Sequence, residues 1–100
     1  MIDNLNIPAI PVHPGVILSK EFIEPMGLTQ TALAAHLSVP TRRINEICRG
    51  RRALSAETAW LLAQAFGTSP QFWLNLQSLY ELAVARRDGR IREITEISTS

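Results

Sequence analysis

The apolar positions of this chain fall into five clusters of helical period, each bracketed by residues that start or stop a helix. Ile17, Leu18 and Phe22 repeat near 3.6 residues, after His13-Pro14-Gly15 and before Pro25 and Gly27. Proline at a first helical position loses nothing, because its missing N–H would have no intrahelical partner there. Thr29 caps a second helix whose inner side is Leu33, Ala34 and Leu37, and Ser38-Val39 form the turn that follows. Pro40 opens a third helix, in which Ile44, Ile47 and Cys48 sit at i, i+3 and i+4 and share a face. Gly50 fits the left-handed position that stops this helix. Ser55 and Gly67 bracket a fourth helix ending at Phe66, and Ser69-Pro70 starts a fifth that runs to about Arg86. The pattern predicts an all-α fold of five helices, with the second and third forming a helix-turn-helix.

The fifth helix departs from the others. Its apolar positions, from Phe72 and Trp73 through Leu76, Leu79 and Tyr80 to Leu82, Ala83 and Val84, cover roughly 200° of the helical wheel, where one core needs about 100°. A second copy of the same helix is the simplest cover for the excess, with Trp73, Tyr80 and Val84 as candidate residues of a homodimer interface. Residues 1–12 contain Pro8 and Pro11 and no helical period, which predicts an extended N-terminal arm. The helix-turn-helix domain then occupies residues 13–87 and a C-terminal tail residues 88–100. In that tail Ile91, Ile94 and Ile97 recur every three residues, a spacing that leaves a helix, a strand and a loose segment equally open.

The chemistry concentrates on the third helix. At 100° per residue, Arg42, Glu46 and Arg49 fall opposite its apolar face, with Thr41 and Asn45 beside them. In a helix-turn-helix the N-terminal half of this helix enters the DNA major groove, which makes Thr41, Arg42, Asn45 and Glu46 the candidate base-edge residues. Arg can bond guanine O6 and N7 together, Asn does the same for adenine, and Glu accepts from cytosine N4, each pair adding about 1–3 kcal/mol of discrimination. Arg43 lies off the centre of that face and suits a phosphate. Gln30, in the first turn of the second helix, sits where N–H groups and the helix dipole favour a phosphate. Arg49, Arg51 and Arg52 follow the third helix and suit the backbone, where they position the domain without reading sequence. The plainer alternative is a solvated face with an Arg42–Glu46 pair at i, i+4.

Charge changes the picture through its placement. The net charge is only +1, yet the five arginines from Arg42 to Arg52 are opposed in that window by Glu46 alone. Such local charge is what a phosphate backbone feels. Cys48 is a single cysteine, and His13 and His36 have no companion at ligand spacing, so neither a disulfide nor a metal site is expected. Trp60 and Trp73 suit packing. No phosphate loop, carboxylate pair or nucleophile–base arrangement appears, so the reading is of a non-enzyme with no cofactor. No leader or apolar run approaching 18 residues is visible, which places the expectation in the cytoplasm and off the membrane.

His13-Pro14-Gly15, Thr29-Gln30, Leu33-Ala34 and the continuous run from Val39 to Gln77, above all GTSPQFWLNLQ at its end, resemble the HigA antitoxins. These form the VapI-like branch of the Xre, lambda-repressor-like helix-turn-helix proteins. The resemblance covers about residues 13–86. It implies a five-helix dimer paired through the C-terminal helix, a palindromic operator in front of its own operon, and repression of that operon. It further implies a HigB-like toxin partner that cleaves mRNA on the ribosome and is neutralised by the antitoxin. On this resemblance Gln30, Thr41, Arg42, Arg43, Asn45 and Glu46 occupy the DNA-facing positions, while Pro40 replaces a Ser or Thr common in the wider group. Two paired readers would sit about one helical turn apart, roughly 34–36 Å. A stand-alone Xre-type regulator without a toxin, and an interaction module that has lost DNA binding, are the alternatives.

Overall fold

The computed structural model describes residues 7–98; the first half of the expected arm and the last two tail positions lie outside the described residues. Helix α1 (Pro14–Ile17) passes directly into a π-helical stretch (Leu18–Ile23), and α2 (Gln30–Leu37), α3 (Thr41–Cys48), α4 (Ala56–Phe66) and α5 (Pro70–Arg87) follow. The described residues contain no strand. The hydroxyls of Thr29, Ser55 and Ser69 accept from the backbone N–H three residues on, at 3.0, 3.2 and 3.1 Å. Each satisfies one of the donors that a helix start leaves unpaired. At α1 the cap is the His13 ring, whose Nδ1 accepts from the Gly15 N–H at 2.9 Å. Helix α3 has no side-chain cap: Pro40 is its extended N-cap and Thr41 its first residue.

The turn between α2 and α3 is made by Ser38, held left-handed at φ 58°. The Ser38 N–H donates to the Ala35 carbonyl at 3.2 Å and the Val39 N–H to that of Ala34 at 3.0 Å, which closes the last turn of α2. Gly50 ends α3 in the same manner at φ 71°, with the Arg51 N–H on the Glu46 carbonyl at 2.8 Å.

The first helix differs from its predicted 3.6-residue period. The Glu24 N–H donates to the Ser19 carbonyl, five residues back, at 2.9 Å. Such a widened turn advances the inward face, so Leu18 and Ile23 are buried while Ile17 is only half-buried. Upstream, Gly15 meets the end of α3 backbone to backbone. A Cβ there would collide with the Ile47 carbonyl, standing 2.7 Å from its carbon and 2.9 Å from Cys48 Cα. This glycine therefore fixes how closely α1 can approach α3.

Leu18, Leu33, Ile44, Ile47, Leu62 and Trp73 are fully buried and form one core. Helix α4 packs along α5, α2 along α3, and α1 is braced on both α3 and α5. Trp73 corrects an expectation. With zero exposure it belongs to the chain's own core and offers no surface to a second copy. Its indole N–H donates to Thr68 Oγ1 at 2.8 Å, and the Phe22 and Phe72 rings lie 5.0 Å from it, with Phe66 at 6.3 Å.

Buried Gln77 fastens the loop after α3. Its Oε1 accepts from the Leu54 N–H at 2.8 Å, while its Nε2 donates to Glu81 Oε2 at 2.8 Å. Beyond Gly89 the described residues have no regular structure, and Ile91, Ile94 and Ile97 stand exposed. Of the arm, Ile7 and Pro8 are held by their carbonyls, which accept from Arg86 Nη2 at 3.2 and 2.6 Å.

Candidate nucleic-acid interface

Helix α3 is anchored by its back. Ile44 and Ile47 have zero exposure, and Cys48 beside them is half-buried. Burial pushes the Cys48 thiol up, partly offset by a hydrogen bond with the Ser19 side chain, so the group stays protonated and packs. With the back fixed, the rotation of α3 about its axis is fixed too, and the front follows from sequence spacing alone.

Thr41 and Arg42 are exposed on that front, with Asn45 and Glu46 half-buried one turn on. Asn45 Nδ2 donates to Gln30 Oε1 at 3.1 Å, so the first residue of α2 holds the amide on α3. A primary amide carries two N–H donors and an oxygen, so Asn45 keeps one N–H and its Oδ1 for the two-point contact adenine presents. Gln30 was expected to face a phosphate; the structure gives it a partner on α3 as well.

Glu46 is the centre of a triad. Arg42 Nε donates to its Oε2 at 2.9 Å, while Arg52 places Nε at 2.9 Å and Nη2 at 2.8 Å on its Oε1. These bonds, from Arg52 first and Arg42 second, hold the Glu46 carboxyl below the usual carboxylate range. It is ionised at neutral pH. The i, i+4 pair that the plainer reading proposed is therefore present, but with a second arginine and without closing off the front: the Arg42 side chain is 84% exposed.

Arg43 sits to one side, its Nη1 3.0 Å from Glu57 Oε1, and ties the first turn of α3 to that of α4. Pro40, Arg42, Arg43 and Arg52 line an open depression of about 390 Å³ at this edge. The side chains of Arg49 and Arg51, both exposed residues, have no hydrogen-bond or ion-pair partner among the described residues. The structure thus brings Gln30, Thr41, Arg42, Asn45, Glu46 and Arg52 together, with Arg43 on the flank and Arg49 and Arg51 beyond.

Sequence reasoning allows His13 the role of a helix cap, which it has, but misses the wider support it gives. His13 is buried with its ring edge-on to Tyr80, centroids 4.9 Å apart, and Gly50 on another side. Burial lowers its pKa below the ordinary histidine value, against a backbone hydrogen bond with Arg52 that raises it. His13 thereby links α1, the end of α3 and α5. The signal was available in the adjacent Pro14-Gly15, which marks a helix start needing close backbone approach, but not in the histidine itself.

A helix-turn-helix family profile matches residues 20–73, which span α2, α3 and α4. Virulence-associated protein I of Dichelobacter nodosus is 47% identical over 94 residues, covering 93% of this chain and 85% of that protein. Antitoxin HigA-1 of Vibrio cholerae is 42% identical over 72 residues, 72% of this chain and 68% of its own. Among solved structures, the Pseudomonas aeruginosa antitoxin HigA with the higBA promoter superposes with a TM-score of 0.76 at 43% identity. That match covers 81% of this chain and 89% of the other. The chain belongs to the HigA antitoxin family of helix-turn-helix proteins. As a HigA-family chain it has the all-α fold its helix pattern predicted and the lambda-repressor-like arrangement the resemblance implied. No helix among the described residues is long and apolar enough to cross a membrane, and no cluster of three His, Cys, Asp or Glu side chains there could hold a metal ion.

Proposed function

We infer that this HigA-family chain is a sequence-specific DNA-binding repressor that acts as the antitoxin of a two-component pair. It works by binding rather than catalysis. The observation that carries the reading is the front of α3, where a fully buried Ile44–Ile47 back presents exposed Thr41 and Arg42 with half-buried Asn45 beside them. Arg and Asn are the side chains whose donors and acceptors match guanine and adenine in the major groove. Arg49, Arg51 and the flanking Arg43 supply phosphate contacts on either side of that edge. A promoter-bound antitoxin 43% identical to this chain supports the same use of the fold.

One such reader contacts few base pairs, and a pair of them reads a palindrome. We assign the pairing to α5, where Leu82 is 50% exposed and Tyr80 and Val84 are half-buried. In the cell, the chain neutralises a HigB-like toxin and represses the operon that encodes both.

The test has two arms. A fluorescent duplex from upstream of the chain's own gene is titrated with purified protein against unrelated competitor DNA. Separately, the neighbouring reading frame is expressed with and without this chain while growth is followed. Salt-sensitive, competitor-resistant binding together with rescue of growth is expected. Binding without any neutralised toxin would make the chain a stand-alone regulator, and rescue without binding would make it an interaction module.

A further inference from the structure

We propose that Glu46 is a positioning residue that aims Arg42 at guanine, and that it does not itself read a base. The inference rests on the DNA-reading face argued above and concerns how that face works. Both Glu46 oxygens are engaged by arginine in the free chain, Oε2 by Arg42 and Oε1 by Arg52. Oε1 already takes two N–H groups, so a cytosine N4 could bond only at the second lone pair of Oε2, beside the Arg42 guanidinium. The way Arg42 is held is the informative detail. It donates through Nε alone, at 2.9 Å, which leaves all four N–H bonds of its two terminal nitrogens unused among the described residues. Those two nitrogens form the end-on fork that matches guanine O6 and N7.

Arg52 is held differently. Its Nε and Nη2 both lie on the same carboxylate oxygen, at 2.9 and 2.8 Å, so its bonding edge is committed to Glu46. Arg52 therefore keeps the carboxylate in place while Arg42 reads. The arrangement gives Arg42 a fixed guanidinium plane before DNA arrives, which lowers the side-chain ordering lost on binding. It also sets an ionised carboxylate at the DNA face, where it opposes phosphate that offers no fork contact in return. Orientation raises affinity for the right sequence, and the charge lowers affinity for the rest.

A randomised double-stranded DNA pool is selected with the wild-type chain, Arg42→Ala, Glu46→Ala, Glu46→Gln and the Arg42→Ala/Glu46→Ala double variant. Far-ultraviolet circular dichroism of each variant checks the fold. Wild type is expected to enrich a strong guanine at one base pair of each half-site, and Arg42→Ala to lose it. Glu46→Ala is expected to weaken preference several-fold at that same base pair and to tighten binding to non-enriched duplex. The double variant should then match Arg42→Ala alone, and Glu46→Gln, which retains one acceptor oxygen, should recover part of the guanine preference. Loss of preference at a different base pair in Glu46→Ala, with the guanine intact, would make Glu46 a reader and overturn the proposal. An unchanged profile in both Glu46 variants would also overturn it, while leaving the DNA-reading function standing. If wild type enriches nothing and shows no salt-sensitive duplex binding, that function fails, and this inference fails with it.

Discussion

Helices α3 and α5 use their apolar residues in opposite ways. In α3 both isoleucines have zero exposure, Cys48 packs beside them, and everything polar faces outward. Its hydrophobic pattern is exhausted within one chain. In α5 Trp73 and Ala83 are buried to 1% exposure or less, yet Phe72 and Leu74 are each 37% exposed and Leu82 50%. A helix whose apolar face is fully consumed has only its polar face left for other molecules. A helix with apolar surface to spare still has burial to gain, at about 25 cal/mol for each Å² covered. The two helices therefore point to two kinds of partner, a polyanion for α3 and an apolar surface for α5.

The polar front of α3 depends on the anchor at its back. Ile47→Ala should lower folding stability by about 2–5 kcal/mol, the usual cost of emptying a fully buried isoleucine site. Urea unfolding followed by circular dichroism measures it, and a loss below 1 kcal/mol would mean that α3 is not held by its core face. Gln77→Ala comes next. It leaves the buried Leu54 N–H without its acceptor, which costs about 1–3 kcal/mol. Gln77→Glu keeps an acceptor oxygen, and stability nearer wild type in that variant would identify the hydrogen bond as the cause.

His13 makes the stability of the fold depend on pH. Because burial lowers its folded pKa, the unfolded chain takes up this proton at higher pH than the folded chain. The stability it contributes is complete above the ordinary value of 6.5 and falls as pH drops through 6.5 toward the lower folded value. Protonation would also remove the lone pair on Nδ1 that caps Gly15. Thermal melts of wild type and His13→Asn across this range should diverge at neutral pH and converge in acid; parallel curves would remove His13 as the cause. The smallest expected effect on the single chain is that of Leu82→Ser. A half-exposed side chain contributes little to the core, so unfolding at low concentration should shift by under about 0.5 kcal/mol. Sedimentation should instead show dissociation at concentrations where wild type is paired. Unaltered pairing would place the interface away from Leu82.

The sequence made legible whatever depends on near neighbours. The Thr29, Ser55 and Ser69 caps, the Gly50 and Gly67 stops and the two faces of α3 follow from chemistry within a few residues. What it hid depends on distant ones. Gln77 meets Leu54 across 23 positions, and Asn45 meets Gln30 across 15. Trp73 shows the same limit from the other side. Periodicity put it on the apolar face of α5, correctly, but a helical wheel does not say whether a neighbour in the same chain or another chain covers that face. The π-helical turn escaped because no residue type marks it, and with it went Ile23. Spacing marks Glu46 as a base-edge candidate or as the i, i+4 partner of Arg42; only the geometry shows Arg52 on its other oxygen.

In the proposed division of labour the front of α3 reads bases while the arginines after it grip the backbone. That division is tested most directly by fluorescence anisotropy of wild type, Arg42→Ala and Arg51→Ala on a selected duplex and a scrambled one, each across a salt series. Arg42→Ala should lose about 1–3 kcal/mol on the selected duplex and little on the scrambled one, collapsing the ratio between them. Arg51→Ala should weaken both alike and reduce the slope of log affinity against log salt by about 1. Equal losses on both duplexes from both variants would contradict the division of α3 and its flank into reader and clamp.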